Sequence, residues 1–442
     1  MLDTRLLSAF LFLSVTSALS ISSRGPQTNS AAALDRHGLR GTSGRYEAEL
    51  CSYLWGLDYR LNITLGGQRF EVLVDTGSAA LWVAEKGFNC TDTNDVQNAT
   101  LCGMTNVYDP SISSTYKNVP ETYLYQAYVD GQKMKGPAAS EVLGLGGMTV
   151  SNLTFGLATS VRSLYPYGYD GIFGFGLPQN QEAFFDQPNV RAPNASVSVP
   201  SPLEVAIAEG LLKEPLISLS MNIPSYDYMF GSEAKSCNSG QLVLGGTVEG
   251  VPVTGSKATV PMLGFNPQTL DFPYDKPDKN YVFYSLKVDS FNFPGSGAID
   301  QTDYYAFLDS GTYQNFFPGP IVQAYAKSVS PPATAAGNGY YDVDCKATTP
   351  DFSITIGGTN FTMDHSDIIS FVSTGDPSDP STWVCQLGMV DANVNDWGGS
   401  NGTRLFKLGQ LFQHNVVSTI DVAKKTITLA ERQPQDIGSL PA

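Results

Sequence analysis

Alternating apolar and polar positions run through most of the chain after about Tyr46 and predict a protein built mainly from β-strands. The alternation is clear in LNITL at 61–65, FSITI at 352–356 and TITL at 426–429. A glycine pair at 66–67 separates the first of these segments from the next strand, which predicts a hairpin. Further strands are expected at 217–221 and 241–244 in the middle of the chain.

Two helices interrupt this strand pattern, one in each half of the chain. Ser201 and Glu204 form a capping-box pattern around Pro202, and Gly210 stands near the expected end of this helix. The second helix is expected from about residue 320 until the prolines at 331–332.

The most informative segment is VLVDTGS at 72–78, which sets a carboxyl group in an apolar strand. A buried carboxylate loses its solvation and must be hydrogen-bonded, paired or chemically used. The neighbouring Thr76 and Ser78 offer hydroxyls, and Gly77 allows a sharp turn. A strand that simply ends in a hydrogen-bonded turn is the alternative for a single copy.

A second copy of this pattern, AFLDSGT at 306–312, favours a functional interpretation. Asp309 lies 234 residues after Asp75. Gly174 follows Asp75 by 99 residues and Gly409 follows Asp309 by 100, each after an apolar residue. The shared spacing predicts two duplicated halves, with a boundary near residue 240.

Composition and charge narrow the possible functions. The 442 residues suffice for two or three domains, and 43 glycines with 27 prolines indicate many turns. The formal net charge of −16 disfavours nucleic acid as a partner because phosphates would be repelled. A pI of about 4.5 is compatible with work at acid pH.

The N-terminal 20 residues have the pattern of a signal peptide, with a basic residue, an apolar run and small residues at the expected cleavage site. Residues 21–44 are expected to be a short prosegment or mobile segment, 45–240 an N-terminal lobe, 241–432 a C-terminal lobe and 433–442 a tail. No other stretch is long and apolar enough for a membrane span, and no lipid-anchor pattern precedes the C-terminus, so we expect a secreted protein without a membrane anchor. Seven glycosylation sequons agree with secretion: Asn62, Asn89, Asn98, Asn152, Asn194, Asn360 and Asn401.

Six cysteines in a secreted chain suggest three disulfides, for which the sequence alone permits 15 pairings. Proximity favours Cys90–Cys102, Cys345–Cys385 would bracket a strand pair, and Cys51–Cys237 would then remain. The cysteines lack the spacing of a zinc site and the chain has only three histidines, so neither a metal nor another cofactor is expected.

Two aspartates from two similar lobes suggest one site at the interface between them. Two carboxyl groups placed close together share one proton, which provides a base and an acid at once. The ionised group can take a proton from water while the other donates to a carbonyl oxygen, as amide hydrolysis requires. The one G-x-S-x-G match, at 398–402, lies in a polar stretch and is interpreted as a loop.

In these motifs the chain resembles pepsin-like aspartic proteases of the secreted, fungal type, from about Tyr46 to Glu431. The residues that match are the two D-[TS]-G-[ST] copies, Trp82, the DGIFG segment at 170–174 and LVLGG at 242–246. The resemblance implies a mainly β, bilobal fold of two related β-barrel-like lobes with a peptide cleft between them. It also implies the catalytic and supporting residues, which are Asp75 and Asp309, assisted by Thr76, Gly77, Ser78, Ser310, Gly311 and Thr312.

The hairpin at 123–136 resembles the lid, or flap, of this family. Tyr128 would be the flap tyrosine, with its hydroxyl against the indole of Trp82, and Gly131 would lie at the flap tip. Without the resemblance, packed aromatic residues would be the simpler interpretation of Tyr128 and Trp82. Walls of the central subsites are expected from Leu73, Ile172 and Phe307.

Three features depart from the family pattern. Val129 follows the flap tyrosine where the family usually has glycine. The KLGQ segment at 407–410 stands where the family tends to have two apolar residues, glycine and aspartate. The expected prosegment contains no lysine, which family prosegments commonly place against the aspartates, so either Arg24, Arg36 or Arg40 takes its place or autoinhibition is weak.

Together these observations predict an endopeptidase that acts at acid pH on extended polypeptides, with a preference for bulky apolar residues around the cut bond. It is expected to be a monomer that works outside the cell, or in a vacuole or another acidic compartment. The alternative is a non-catalytic binding or inhibitor glycoprotein with the same fold.

Overall fold

A computed structural model describes most of the chain from residue 44 onward. The described residues are 44–53, 56–92, 94–98, 101–128, 131–163, 168–180, 183–184, 199–231, 235–266, 272–373, 376, 379–393 and 405–439. The expected signal peptide, nearly all of the expected prosegment and Val129 therefore lie outside the described residues.

Strands dominate the described residues, as the alternation of apolar and polar positions predicts. The strands are β1 (Tyr46–Tyr53), β2 (Asp58–Leu65), β3 (Gln68–Asp75), β4 (Leu81–Thr91), β5 (Lys117–Ala127), β6 (Lys133–Leu145), β7 (Met148–Arg162), β8 (Gly171–Gly174), β9 (Ala183–Phe184), β10 (Leu216–Met221), β11 (Lys235–Leu244), β12 (Val253–Pro261), β13 (Ser285–Val288), β14 (Ser290–Asn292), β15 (Tyr304–Leu308), β16 (Asn315–Phe317), β17 (Thr334–Gly337), β18 (Tyr340–Val343), β19 (Ser353–Ile356), β20 (Thr359–Thr362), β21 (Ile369–Ser373), β22 (Val384–Leu387), β23 (Met389–Asp391), β24 (Leu405–Leu408), β25 (Val416–Asp421) and β26 (Thr426–Arg432). The helices are α1 (Pro202–Ala208), α2 (Tyr226–Met229), α3 (Gly319–Ser328), α4 (His365–Ile368) and α5 (Gln410–Gln413).

Both helices expected from the sequence are present, as α1 and α3. The capping box of α1 is formed: Ser201 Oγ accepts from the Glu204 amide, and the Glu204 carboxylate accepts from the Ser201 amide. The helix ends before Gly210, which has a φ of +67° that favours glycine. Terminal signals therefore placed α1 correctly within a mainly β chain.

The strands around the two aspartates repeat the same arrangement in each half of the chain. In the first half, β8 pairs parallel with β3 and antiparallel with β4, which pairs parallel with β7. In the second half, β24 pairs parallel with β15 and antiparallel with β16, which pairs parallel with β23. This internal symmetry confirms the predicted fold class, a mainly β protein with two related halves.

A run of antiparallel strands joins the halves within one large sheet. Its order is β12-β26-β25-β10-β11-β1, and it continues through β2 and β3 into the first half. The boundary expected near residue 240 falls inside β11, which pairs with both β1 and β10. One apolar core extends across this sheet and contains Val74 from the first half and Leu308 from the second.

Three disulfides are formed, and they are the pairs favoured from the sequence. Cys51 is joined to Cys237, Cys90 to Cys102 and Cys345 to Cys385. The first connects the neighbouring strands β1 and β11. No helix in the described part of the chain is long and apolar enough to cross a membrane.

Candidate active site

The two motif aspartates occupy equivalent places in the repeated strand arrangement. Asp75 is the last residue of β3 and lies opposite Gly174 of β8. Asp309 follows β15 directly, and its amide donates to the Leu408 carbonyl of β24 over 3.1 Å. Each aspartate therefore stands at the end of a buried strand, and the parallel strand beside it ends in a glycine or is followed directly by one.

Hydroxyl groups beside the aspartates bind the two halves to each other. Thr76 Oγ1 donates to the Leu308 carbonyl over 3.0 Å and accepts from the Ser310 amide over 2.9 Å. Ser310 Oγ donates to the Val74 carbonyl over 2.8 Å and accepts from the Thr76 amide over 3.0 Å. These four bonds fix the relative position of the strand ends that carry Asp75 and Asp309.

Each carboxylate receives two hydrogen bonds from its own motif. For Asp75, the Gly77 amide donates to Oδ1 over 2.8 Å and Ser78 Oγ donates to Oδ2 over 2.5 Å. For Asp309, the Gly311 amide donates to Oδ1 over 3.1 Å and Thr312 Oγ1 donates to Oδ2 over 2.7 Å. Donors of this kind orient a carboxylate and stabilise its ionised form.

Close packing brings each aspartate against the motif glycine of the other half. A Cβ atom added to Gly77 would lie 2.5 Å from Asp309 Oδ1, and one added to Gly311 would lie 2.6 Å from Asp75 Oδ1. Neither position has room for a side chain. Glycine is thus required here for the approach of the opposite carboxylate.

This environment makes Asp75 a weak acid. Burial, and secondly the negative charge of Asp309, raise the pKa of Asp75 to about 7, although the hydrogen bonds from Ser78 and Gly77 oppose the shift. Only 5% of each aspartate is exposed to solvent. Asp75 is therefore protonated in acid.

A lysine accompanies the second aspartate. Lys407 Nζ lies 3.1 Å from Asp309 Oδ2, and both side chains are 7% exposed. It also donates to Thr312 Oγ1 over 3.3 Å. This ion pair was not foreseen from the sequence, although a charged residue inside the apolar strand LFKL is itself an indication of a buried partner.

The expected flap is a long hairpin formed by β5 and β6. Ala127 lies opposite Lys133, and the Tyr128 amide donates to the Gln132 carbonyl over 2.8 Å. Gly131 has a φ of +95°, a value that suits glycine in a tight turn. The Trp82 indole donates to the Tyr128 hydroxyl over 2.8 Å, which is the contact that the resemblance implies.

The residues expected to line the subsites lie in two apolar clusters beside the aspartates. Leu73 and Ile172 face each other across β3 and β8 and belong to the cluster that contains Trp82. Phe307 stacks on Phe283, with ring centroids 4.4 Å apart. All three expected residues are less than 10% exposed, so only a small part of each side chain is accessible to a ligand.

The supporting roles of Asp170 and Gln410 depend on tertiary contacts and are not evident from their sequence motifs. The buried carboxylate of Asp170 accepts from the amides of Glu71, Thr105 and Asn106 and so holds a loop against β3. Gln410, which stands where the family tends to have aspartate, donates from its amide to the Ser310 carbonyl over 2.8 Å. It thus supports the second motif without adding a third carboxyl group.

The described asparagines of the glycosylation sequons are all exposed: Asn62, Asn89, Asn98, Asn152 and Asn360. Asn194 and Asn401 lie outside the described residues. Among the described residues, one group has the spacing of metal ligands, Glu49 with Cys51 and Cys237, but these two sulfurs are bonded to each other.

Comparisons with known proteins agree with this arrangement. The family model described as eukaryotic aspartyl protease matches residues 58–432. A probable aspartic-type endopeptidase of Aspergillus fumigatus is 28% identical over 87% of this chain and 80% of its own length. An acid protease of Saccharomycopsis fibuligera is 26% identical over 84% of this chain and 80% of its own. Secreted aspartic protease 1 of Candida albicans is 26% identical over 85% of this chain and 81% of its own. Because the family model spans both aspartate motifs and most of the described strands, the chain belongs to the eukaryotic aspartyl protease family.

Proposed function

We propose that this chain is a secreted aspartic endopeptidase in which Asp75 and Asp309 activate water for peptide hydrolysis at acid pH. The observation that carries the proposal is the reciprocal bonding of Thr76 and Ser310, which brings the two carboxyl groups together at one place. Membership of the protease family supports it independently.

The chemistry follows from the unequal state of the two carboxyl groups. Ionised Asp309 takes a proton from a water molecule, whose oxygen attacks the peptide carbonyl carbon. Protonated Asp75 donates its proton to the carbonyl oxygen, so no free oxyanion forms. In the second step Asp309 gives its proton to the amide nitrogen and the C–N bond breaks, while ionised Asp75 takes a proton from one hydroxyl of the diol as the carbonyl re-forms. The products leave as an acid and an amine, and both aspartates return to their starting states.

The substrate is a polypeptide in an extended conformation, held under the β5–β6 hairpin by Tyr128. Leu73, Ile172 and Phe307 would favour bulky apolar residues around the cut bond, because apolar walls recognise apolar groups through the area they bury. Cleavage of a peptide library provides the measurement. Enrichment of charged residues at the positions flanking the cut would contradict this preference.

Secretion is supported by the N-terminal pattern of the sequence and by the printed name of the Candida albicans relative. The exposed sequon asparagines are compatible with passage through a glycosylating compartment. We propose a monomer that is active outside the cell or in another acidic compartment. N-terminal sequencing of secreted material would locate the mature start of the chain.

The decisive experiment compares the purified protein with Asp75→Asn and Asp309→Asn on denatured haemoglobin at acid pH, with and without pepstatin. We expect each substitution, and pepstatin, to abolish cleavage. Asp421→Asn, at the end of β25, is the matched control and should retain activity. Pepstatin-insensitive cleavage, or full activity of Asp75→Asn, would overturn the mechanism. Lack of cleavage by the folded wild-type protein would favour a binding or inhibitor role.

A further inference from the structure

The two halves of the site differ in charge at one buried position. In the first half, Leu73 of β3 lies opposite Ile172 of β8. In the second half, Phe307 of β15 lies opposite Lys407 of β24. Isoleucine and lysine thus occupy equivalent positions in the repeated arrangement, next to Asp75 and Asp309 respectively. Because the surrounding strand pairings match, the environment of Asp75 can be compared directly with that of Asp309 to identify the effect of the lysine.

The lysine side chain is directed at the aspartates by its surroundings. Its Nζ lies 5.8 Å from the centre of the Phe307 ring and 5.6 Å from that of Phe316. The polar groups that face it include the Asp309 carboxylate and the Thr312 hydroxyl, both in the turn after β15. The positive charge of Lys407 also lowers the pKa of Asp75. The ammonium therefore contacts the Asp309 carboxylate and the Thr312 hydroxyl and lies beside two aromatic rings.

A buried ammonium is costly unless a fixed anion compensates its charge. Asp309 is the carboxylate in contact with it, so the ion pair favours ionisation of Asp309 over ionisation of Asp75. The position equivalent to Lys407 beside Asp75 holds the apolar Ile172, which gives no such preference. Lys407 thus makes ionisation more favourable at one aspartate of the pair than at the other.

We propose that Lys407 is a positioning residue that keeps the negative charge of the aspartate pair on Asp309 and leaves the shared proton on Asp75. This inference rests on the proposed function, since it explains why Asp309 is the base and Asp75 the acid within that mechanism. Asp309 becomes the group that takes the proton from water, and Asp75 the group that donates to the substrate carbonyl.

The sign of the effect on pH dependence follows from the charge. A positive charge beside the pair stabilises the singly ionised state relative to the neutral state, and the doubly ionised state relative to the singly ionised one. Both ionisation steps therefore occur at lower pH than they would without Lys407. The effect of Lys407 on Asp75 has this direction, because its charge lowers the pKa of that group against the larger effects of burial and Asp309.

The first test measures kcat/KM from about pH 2 to about pH 8 for the wild type and Lys407→Met, since this profile reports the ionisation of the free enzyme. We expect both limbs of the profile to move to higher pH by about 1 to 2 units in Lys407→Met. Lys407→Arg keeps the charge and should restore the wild-type limbs. Lys424→Met removes an ion-paired but 77% exposed lysine and should leave them unchanged.

The second test uses thermal unfolding at acid pH and needs no activity. Asp309→Asn leaves the buried ammonium without its anion, whereas Asp75→Asn copies a group that is already protonated. We expect Asp309→Asn to lower Tm by roughly 5 °C more than Asp75→Asn does. Adding Lys407→Met to each variant should remove this difference. If Lys407→Met does not fold, Lys407→Ile, which copies the residue of the other half, replaces it in both tests.

The outcomes separate this inference from the proposed function. Unchanged limbs in Lys407→Met, in a protein whose activity depends on both aspartates, would overturn the role of Lys407 and leave the proposed function standing. Equal Tm losses for Asp309→Asn and Asp75→Asn would overturn it as well. Activity that survives both aspartate substitutions would reject the proposed function itself.

Discussion

Thr76 and Ser310 each donate a hydrogen bond to the strand that carries the aspartate of the other half. Thr76 Oγ1 reaches the Leu308 carbonyl over 3.0 Å, and Ser310 Oγ reaches the Val74 carbonyl over 2.8 Å. Both side chains are buried, at 1% and 0% exposure. The separation of the two carboxyl groups is therefore set by the side-chain hydroxyls of the residues that directly follow the two aspartates.

Replacing Thr76 by valine tests this link, because valine keeps the shape of threonine and removes only the hydroxyl. The Leu308 carbonyl would lose a donor and the Ser310 amide would be left buried without its acceptor. We expect a loss of about 3 kcal/mol in the free energy of unfolding, measured by urea denaturation. Thr259→Val, at an exposed position of β12, is the control and should change stability little. Equal effects of the two substitutions would contradict the link.

The raised pKa of Asp75 predicts how stability depends on pH. Since the pKa is about 7 in the folded protein and lies near 3.8 in its ordinary state, protonated Asp75 stabilises the fold fully in acid. This contribution is lost as pH rises through about 7. The loss of unfolding free energy is on the order of 4 kcal/mol. Asp75→Asn cannot ionise and should not show it, so the unfolding free energies of wild type and variant should diverge between about pH 4 and about pH 7.

Asp421 provides the opposite control for that experiment. Although burial opposes the shift, hydrogen bonds from the backbone and side chain of Lys424 lower the pKa of Asp421. Its contribution is therefore present above its ordinary pKa and is lost as pH falls through the lowered value. Asp421→Asn should destabilise the protein at neutral pH rather than in acid. Parallel curves for Asp75→Asn and Asp421→Asn would show that the pH dependence does not come from the environment of Asp75.

The flap prediction concerns the bond between the Trp82 indole and the Tyr128 hydroxyl. Tyr128→Phe keeps the ring and removes the acceptor of a buried N–H, so the hairpin should be held less firmly over the substrate. We expect kcat/KM to fall about tenfold, which corresponds to about 1.4 kcal/mol, a usual value for one hydrogen bond. Tyr125→Phe, three residues earlier in β5, is the matched control and should retain wild-type activity. A similar fall in both variants would mean that the hairpin responds to any loss of a hydroxyl.

Much of this molecule is visible in the sequence because the decisive patterns are local. Alternation predicted the strands, the Ser201–Glu204 pattern predicted the first residues of α1, and the repeated motif predicted which carboxyl groups meet. Local patterns could not show that Lys407 contacts Asp309, since that contact depends on the register of β15 against β24. The hairpin is also longer than the predicted 123–136, because β5 begins at Lys117, opposite Ser140, and β6 extends to Leu145 through pairings with β7 and β2.

The three disulfides should differ in their contribution to stability, in the order of the loops they close. Sequence separations are 186 residues for Cys51–Cys237, 40 for Cys345–Cys385 and 12 for Cys90–Cys102. A longer loop restricts the unfolded chain more, and the chain-entropy relation gives about 5, about 4 and about 3 kcal/mol in that order.

Double serine variants of each pair, unfolded in guanidinium chloride without reductant, test this order. Serine introduces the same change at every pair, so differences between the variants report mainly on the loops. We expect the Cys51→Ser, Cys237→Ser protein to have the lowest unfolding midpoint, because its disulfide joins strands that lie far apart in the sequence and side by side in the large sheet. The largest loss in the Cys90→Ser, Cys102→Ser protein would instead show that local packing around the short loop outweighs the restriction of the unfolded chain.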